Sequence, residues 1–419
     1  MAQSNMPPVV ERWGNIAARI QALRALRHGN YRLLWSNGLM GALARGVEQV
    51  AFGWQVLELT DSPFMLGAVA FIRGLPLLVF GIVGGVVADR FDRRKLIIVA
   101  AGMTVSLTFL MAILTSSGLI RVWHIFIISL VGGTISAFNM PTRQAFVFDL
   151  VGRDDLTNAI SLNFIAAGVA RIIGPSVGGV LVGLIGVAGC YYVAGSSYVL
   201  AILPLLLIRP VERVSAARRE SIRRNLSEGF GYVRSHTTVL ALLSMEILLD
   251  IFAYSYTVLL PVFARDILRV GAKGLGFLAG AAGVGSLIGS LGVASQGNLQ
   301  RKGLVLLVSA TGFAIMVILF ALSPWYGLSL ALLVGVGITE STYDVLMGSL
   351  LQTIVPDDLR GRIMGMYTLV ISSVHLGTLQ IGAMASLLGA PMAVGLGGTI
   401  AALYMLGVAK ARPDLRRLR

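Results

Sequence analysis

Carboxylates one helical turn apart occur in two strongly apolar stretches of the sequence. With neighbouring tyrosines they form one stripe in each stretch, namely Glu246, Asp250 and Tyr254, and Glu340, Tyr343 and Asp344. Two acids one turn apart repel each other when both are ionised, which favours protonation of one of them near neutral pH. Such a stripe can bind a cationic group or exchange protons. The alternative is that these acids pair with arginines and only stabilise the fold. We favour a functional role for Asp250 and Glu340, because they lie near the middles of their stretches.

Other ionisable residues in apolar stretches have plainer interpretations. Arg45 and Glu48 are three residues apart, so they can pair on one helical face. We interpret Arg73 and Arg171 as structural, and His375 as an interior histidine with satisfied hydrogen bonds.

The composition predicts that lipid surrounds these stretches. Of the 419 residues, 56% are hydrophobic and only 13% are charged, whereas a water-soluble domain has about 25% charged residues. Cys190 is the only cysteine and the four histidines lie far apart, so neither an intrachain disulfide nor a metal centre is expected.

A helix needs about 20 apolar residues to cross a bilayer, and the sequence contains twelve such segments. We place them at 31–57, 64–88, 96–117, 121–140, 158–184, 186–208, 238–263, 275–296, 303–322, 326–350, 363–387 and 390–409. The predicted fold class is therefore an all-α membrane protein with 12 transmembrane helices.

The net charge of +14 indicates an orientation rather than a nucleic-acid partner. Most Lys and Arg residues outside the spans fall on the side of the two termini, which places both termini in the cytoplasm. The basic segments are a surface arm at 1–30, amphipathic or simply mobile, a linker at 209–237 and a tail at 410–419.

A short internal sequence repeat predicts two related halves. Asp154-Asp155-Leu156 recurs as Asp357-Asp358-Leu359, after the fourth and the tenth span. We expect two pseudo-symmetric six-helix bundles, at 31–208 and 238–409, that rock about a site between them.

The turn after the second span carries a recognisable motif. Its members are Gly85, Asp89, Arg90, Arg93 and Arg94. This pattern resembles the signature of the major facilitator superfamily, although Asp92 stands where that signature has a second glycine. Longer stretches such as "LVGRDDLTNAISLN" and "VPDDLRGRIMGMY" resemble one branch, the transmembrane secretion effectors, which includes an enterobactin exporter and macrolide effluxers.

The resemblance implies a cytoplasmic gate and a central cavity. Asp89 would lock the gate at the start of span 11, and Arg143 could be its partner, whereas a topology signal alone is the alternative. The cavity would lie between spans 1, 4, 7 and 10, three of which carry the charged residues described above. Span 4 as predicted lacks the arginine that the family often uses in proton coupling, which makes the usual proton relay uncertain.

Span 5 carries a glycine-proline pattern similar to that of antiporters. Its members are Gly168, Gly174, Pro175, Gly178 and Gly179. Close packing of helices explains these residues without any chemistry, while the resemblance adds a pointer toward export.

The leading function is therefore secondary active export, as proton-coupled antiport, of a small amphipathic or cationic molecule such as a drug, macrolide or siderophore. An uptake permease and a non-transporting receptor are the alternatives. No phosphate-binding loop or nucleophile–base arrangement is found, so we expect neither an enzyme nor a cofactor. Its partners would be the substrate, protons or another ion, and lipid, for a monomer in a bacterial inner membrane.

Overall fold

The architecture is described by a computed structural model. It covers residues 23–209, 222–296 and 299–418, without the side chains of residues 82, 86, 89, 222–228 and 358. Within these ranges the regular elements are helices, with no strand. Most of the predicted arm at 1–30, and residues 210–221 of the linker, lie outside the described residues.

Thirteen α-helices of this part of the chain frame the site. The first five are α1 (Gly29–Thr60), α2 (Pro63–Arg90), α3 (Arg93–Ser116), α4 (Val122–Val151) and α5 (Leu156–Leu207). The others are α6 (Ile222–Ser235), α7 (Thr237–Phe252), α8 (Gly271–Ser295), α9 (Lys302–Ala321), α10 (Tyr326–Ile354), α11 (Asp357–Ile371), α12 (Val374–Leu388) and α13 (Ala390–Ala411).

Ten helical segments of the described chain are long and apolar enough to cross a membrane, so the chain is a multi-pass membrane protein. The count of ten segments differs from the twelve predicted transmembrane helices at two places. The element α5 contains two predicted spans in 52 residues, divided at Gly186, whose φ of 72° interrupts the helix. The helix α1 is 32 residues long but carries polar side chains that lower its hydropathy.

Several predicted boundaries are corrected. The fourth span was predicted to end at 140, whereas α4 continues through Pro141 to Val151, because Phe146, Val147 and Leu150 extend its buried face. Arg143 therefore lies within this helix rather than beyond it.

Spans 7 and 11 are discontinuous. After Phe252 the chain continues as a 3₁₀-helix (Tyr254–Leu259), a short α-turn (Leu260–Val262) and a π-helical turn (Phe263–Ile267). Span 11 consists of α11 and α12, joined at Ser372 and Ser373. Such breaks leave backbone groups free of the helical ladder, and in transporters they line cavities.

Local chemistry explains where α2 and α3 begin. Pro63 occupies the first turn of α2, where its missing N–H removes no helical bond. Asp92 caps α3 by accepting a hydrogen bond of 3.1 Å from the backbone N–H of Lys95. The departure of Asp92 from the family glycine is thus accounted for by helix capping.

The two halves of the chain touch mainly at one end, which we call the closed end. There α2 packs against α12, with Gly67 facing Thr378 and Gly382, and α5 packs against α8, with Gly179 facing Gly276. A Cβ atom at Gly179 would lie 2.7 Å from the Cα atom of Gly276, so only glycine permits this approach.

At the opposite end, which we call the open end, the halves are separated. A cavity of about 410 Å³ lies there between α2, α4 and α11. Its wall includes Gly81, Gly85, Met140, Gln144, Arg362, Gly365, Thr368 and Ser372. The asymmetry between the two ends defines the conformation of the molecule.

Candidate functional site

The acids of α7 lie at the point where this helix loses its regular geometry. Glu246 and Asp250 are 4% and 6% exposed, and the 3₁₀-helix begins only four residues after Asp250. The hydroxyl of Ser373, at the break between α11 and α12, donates a 3.3 Å hydrogen bond to Oδ2 of Asp250. Two helix breaks therefore meet at one buried carboxylate.

The acids of α10 face the same region. Glu340 is 1% exposed, whereas the side chain of Asp344, one turn further on, is accessible to solvent. Asp344 lies close enough to Glu340 and Glu246 to interact with them electrostatically, and Asp250 is likewise within range of Asp344. The structure thus brings together the four acids that the sequence singles out.

A charged bridge joins this cluster to the first half of the chain. Nη2 of Arg171, on α5, lies 2.6 Å from Oε1 of Glu340. The hydroxyl of Tyr254 donates to the same oxygen at 2.8 Å, and Arg171 donates to that hydroxyl at 3.1 Å. Three elements from both halves therefore converge on one carboxylate oxygen.

The cluster also contains buried polar atoms without a hydrogen-bond partner among the described residues. They are Oε2 of Glu340 and the hydroxyl oxygen of Tyr256. Buried polar atoms are normally satisfied, because desolvation without a hydrogen bond is costly. These atoms are therefore available to a proton, a water molecule or a ligand.

The predicted pair of Arg45 and Glu48 is replaced by other contacts. Oε2 of Glu48 accepts a 2.8 Å hydrogen bond from Tyr198, and its Oε1 lies 3.9 Å from Arg73. Arg45 is exposed and forms no ion pair with the described acids. The partners of Glu48 thus come from α2 and from the part of α5 that follows Gly186.

The structure describes only part of the predicted gate. The side chain of Asp89 lies outside the described residues, so its predicted lock on span 11 stays a prediction. Arg90 is exposed, and a Cβ atom at Gly85 would meet no other atom within 4 Å. Both lie at the open end, where the two halves are separated.

The remaining arginines of that motif bind within the first half. Nη1 of Arg93 contacts both carboxylate oxygens of Asp149, at 2.8 and 2.7 Å, and Arg94 donates to the backbone oxygen of Leu206 at 2.8 Å. They hold the turn between α2 and α3 against α4 and α5.

Arg143 is anchored to α1. Its guanidinium donates to Oδ1 of Asn37 at 2.7 Å and to the backbone oxygen of Leu34 at 2.8 Å. An arginine is thus present in α4, contrary to the expectation that the fourth span has none, because the helix is longer than predicted.

Most of the glycine-proline pattern lies in tight interhelical contacts. Cβ atoms added at Gly174 and Gly178 would lie 2.9 Å from Gly46 and 2.8 Å from Val47, both on α1, and Gly179 faces α8. Gly168 has only an ordinary contact of 3.8 Å with Leu287. Close packing accounts for three of the four glycines, in agreement with the structural interpretation of the pattern.

The profile of the family described as transmembrane secretion effector matches residues 20–418, nearly the whole chain. The chain belongs to this family. Members of this family are membrane transporters and not enzymes. One relative is the enterobactin exporter EntS of Shigella boydii serotype 18, which is 29% identical over 402 residues, covering 94% of each chain.

Solved structures share the fold of this secretion effector at lower identity. A bacterial homologue of the human lysosomal transporter Spinster superposes with a TM-score of 0.73 at 14% identity, covering 93% of this chain and 98% of that one. The nucleoside transporter NupG superposes with a TM-score of 0.72 at 14% identity, covering 93% and 100%. These likenesses establish the major facilitator fold.

Sequence reasoning missed part of the site of this secretion effector. The contact of Arg171 with Glu340 matches the structural alternative, in which the acids pair with an arginine, whereas Ser373 and Tyr198 are not among the predicted site residues. Arg171 lies within the glycine-proline pattern, between Gly168 and Gly174, in a helix that must contact the second half. That position was a signal that could have found it.

Proposed function

We propose that this protein is a secondary active exporter, a proton-coupled antiporter that works by alternating access. The observation that carries the proposal is the cluster of four acids on α7 and α10, bridged by Arg171 to the other half. A carboxylate buried at mid-membrane is costly unless it is paired or protonated. A transport cycle can use that cost, because a proton or a cationic group relieves it.

The proposed topology has twelve crossings in two bundles, at 31–208 and 238–409. The two arms of α5 on either side of Gly186 count as separate crossings, and α1 is added to the apolar helices. The basic segments place both termini in the cytoplasm, and the open end then faces inward.

The arrangement of the two ends supports alternating access. Tight glycine contacts close one end, while a cavity of about 410 Å³ separates α2 and α4 from α11 at the other. Rocking of one bundle against the other would close the cavity and open the opposite end. In this interpretation the described conformation is inward-facing, ready to receive substrate from the cytoplasm.

The proposed substrate is a small amphipathic or cationic molecule, such as a drug, a macrolide or a siderophore. The acids favour a cationic group. The cavity at the open end, which none of the four acids lines, has Leu77, Ala137 and Leu369 in its wall and favours an apolar group on the path to them. The relative named as an enterobactin exporter supports siderophores as one class to test. We place the protein, as a monomer, in a bacterial inner membrane.

Transport into proteoliposomes under an imposed pH gradient tests the proposal. The parent protein should move a cationic dye such as ethidium, or a catecholate siderophore, against its concentration gradient. Asp250→Asn and Glu340→Gln should lose most of this gradient-driven transport, because each removes a titratable group from the cluster.

A matched control is Glu58→Gln, which removes an exposed acid that contacts only Trp54 among the described side chains. It should transport as the parent does. If no ion gradient drives transport by the parent, antiport is wrong. If both cluster variants keep full coupling, the site assignment is wrong. Net accumulation of substrate on the cytoplasmic side would establish uptake instead of export.

A further inference from the structure

Charges within the membrane-spanning helices are segregated between the two halves. Away from the helix ends, the first half carries four arginines in its described spans, and Glu48 as an acid. The second half carries four acids in the same part of its described spans, with no Lys or Arg and with His375 as its histidine. The two sets are Arg45, Arg73, Arg143 and Arg171, and Glu246, Asp250, Glu340 and Asp344.

The two sets meet at one bridge only, among the described residues. Arg171 and Glu340 are joined at 2.6 Å, with 37% of the arginine side chain and 1% of the glutamate side chain exposed. Glu48 offsets Arg73 within the first half, at 3.9 Å. One bridge does not neutralise either set.

Each set also presents an accessible member. Arg45 and Asp344 are both exposed although they lie well inside α1 and α10. Neither forms an ion pair with another described residue. Arg45 lies near Arg143 and Tyr198, and Asp344 lies beside Glu340, so the two accessible charges belong to opposite halves of the chain.

Electrostatic complementarity then selects the ligand. A simple cation offsets the acids but adds to the excess of positive charge on the first half, and a simple anion does the reverse. Removing charges from water is repaid only when each is paired in good geometry. A ligand with one group of each sign can pair with both sets, in place of the direct contact between Arg171 and Glu340.

Resting on the proposed function, we infer that the site binds a dipolar substrate, one that carries a cationic and an anionic group. The cationic group takes the place of Arg171 at Glu340 and Asp344. The anionic group then binds the released guanidinium of Arg171, and Arg45 adds positive charge from the same half of the chain. Substrate binding thereby exchanges the bridge between the halves for two contacts to the ligand.

A pair of dyes that differ in one charge tests this inference. Rhodamine B is a zwitterion at neutral pH, and its ethyl ester has the same ring system without the carboxylate. Fluorescence anisotropy with the purified full-length protein in detergent measures both affinities, independently of any gradient. The parent should bind rhodamine B about tenfold more tightly than the ester, the strength of one charge-assisted hydrogen bond.

Variants of Arg171 test whether this arginine causes the preference for rhodamine B over its ester. Arg171→Gln should lower the preference for rhodamine B below about threefold, and Arg171→Lys, which keeps the charge, should retain most of it. Arg45→Gln should lower it partially. The control is Arg153→Gln, which removes an exposed arginine from the turn between α4 and α5, outside both sets, and it should keep the parent's preference.

Equal affinity of the parent for the two dyes would overturn the inference, as would an unchanged preference in Arg171→Gln. The result is separable from the proposed function. Failure of gradient-driven transport with an intact dye preference would refute antiport and leave the dipolar site standing. Intact transport with no preference would refute the dipolar site alone.

Discussion

The closed and the open end of the molecule use the same kind of residue in opposite ways. At the closed end Gly67 lies against the backbone of Thr378 and Gly382, so α2 and α12 approach without side chains between them. At the open end Gly81 on α2 and Gly365 on α11 line a cavity, and Gly365 has no neighbour within 4 Å where a Cβ would lie. Glycines can therefore form a tight contact at one end and, at the other end, leave space for such a contact in another conformation.

The largest effect is expected from an added methyl group at the closed end. Gly67→Ala should lower the thermal unfolding midpoint, because overpacking costs about 1–3 kcal/mol and exceeds the helix-propensity gain of about 1 kcal/mol. The same substitution at the open end, Gly365→Ala, should leave the midpoint unchanged or raise it. Equal shifts for the two variants would contradict the difference between the ends.

A larger side chain at the open end should separate stability from turnover. Gly365→Leu fits the cavity, so the unfolding midpoint should stay near the parent's. Transport should fall about tenfold, because the conformation with this end closed becomes overpacked by about 1–3 kcal/mol. Gly102→Leu, at another open position on α3, is the control, and a similar loss there would show that leucine acts without regard to the cavity.

A smaller effect is expected at the predicted gate. Asp89→Asn should favour the conformation with the open end separated, because an acid at a helix N-terminus contributes about 0.3–1 kcal/mol. Labelling of Thr368→Cys, in the cavity wall, should become faster in a background with Cys190→Ala. An unchanged labelling rate would leave the motif as a topology signal.

The smallest effect should come from the closed end's ion pair. Arg265, on the π-helical turn, binds Asp61, and donates to the backbone oxygen of Leu57 at 3.2 Å. Because Asp61 is 81% exposed, the pair is worth about 0–1 kcal/mol. Arg265→Gln should raise the labelling rate of Thr378→Cys, because it favours opening of the closed end, whereas Asp89→Asn favours separation at the open end. A slower labelling rate would show that the ion pair does not hold the closed end together.

The helical fold and most of its boundaries could be predicted, because a bilayer imposes length and apolarity on each span. Errors occurred where polar residues or prolines interrupt the pattern. The predicted fourth span ends at 140, directly before Pro141, although a proline removes a single backbone bond and neighbouring helices can compensate in a membrane protein. The breaks at Ala253 and at Ser372 and Ser373 were not predicted, since they depend on packing between helices.

By itself the sequence determined that the chain is a helical membrane protein with many apolar stretches, and that Glu246, Asp250, Glu340 and Asp344 form two stripes. Periodicity and hydropathy are local properties, so they can be read from consecutive residues. Only the tertiary structure decided that the stripes meet, that Glu48 bonds Tyr198 rather than Arg45, and that Arg171 reaches Glu340. Partners distant in sequence are selected by the approach of helices, because the electrostatic cost of a charge in the membrane falls only when an opposite charge comes within a few ångströms.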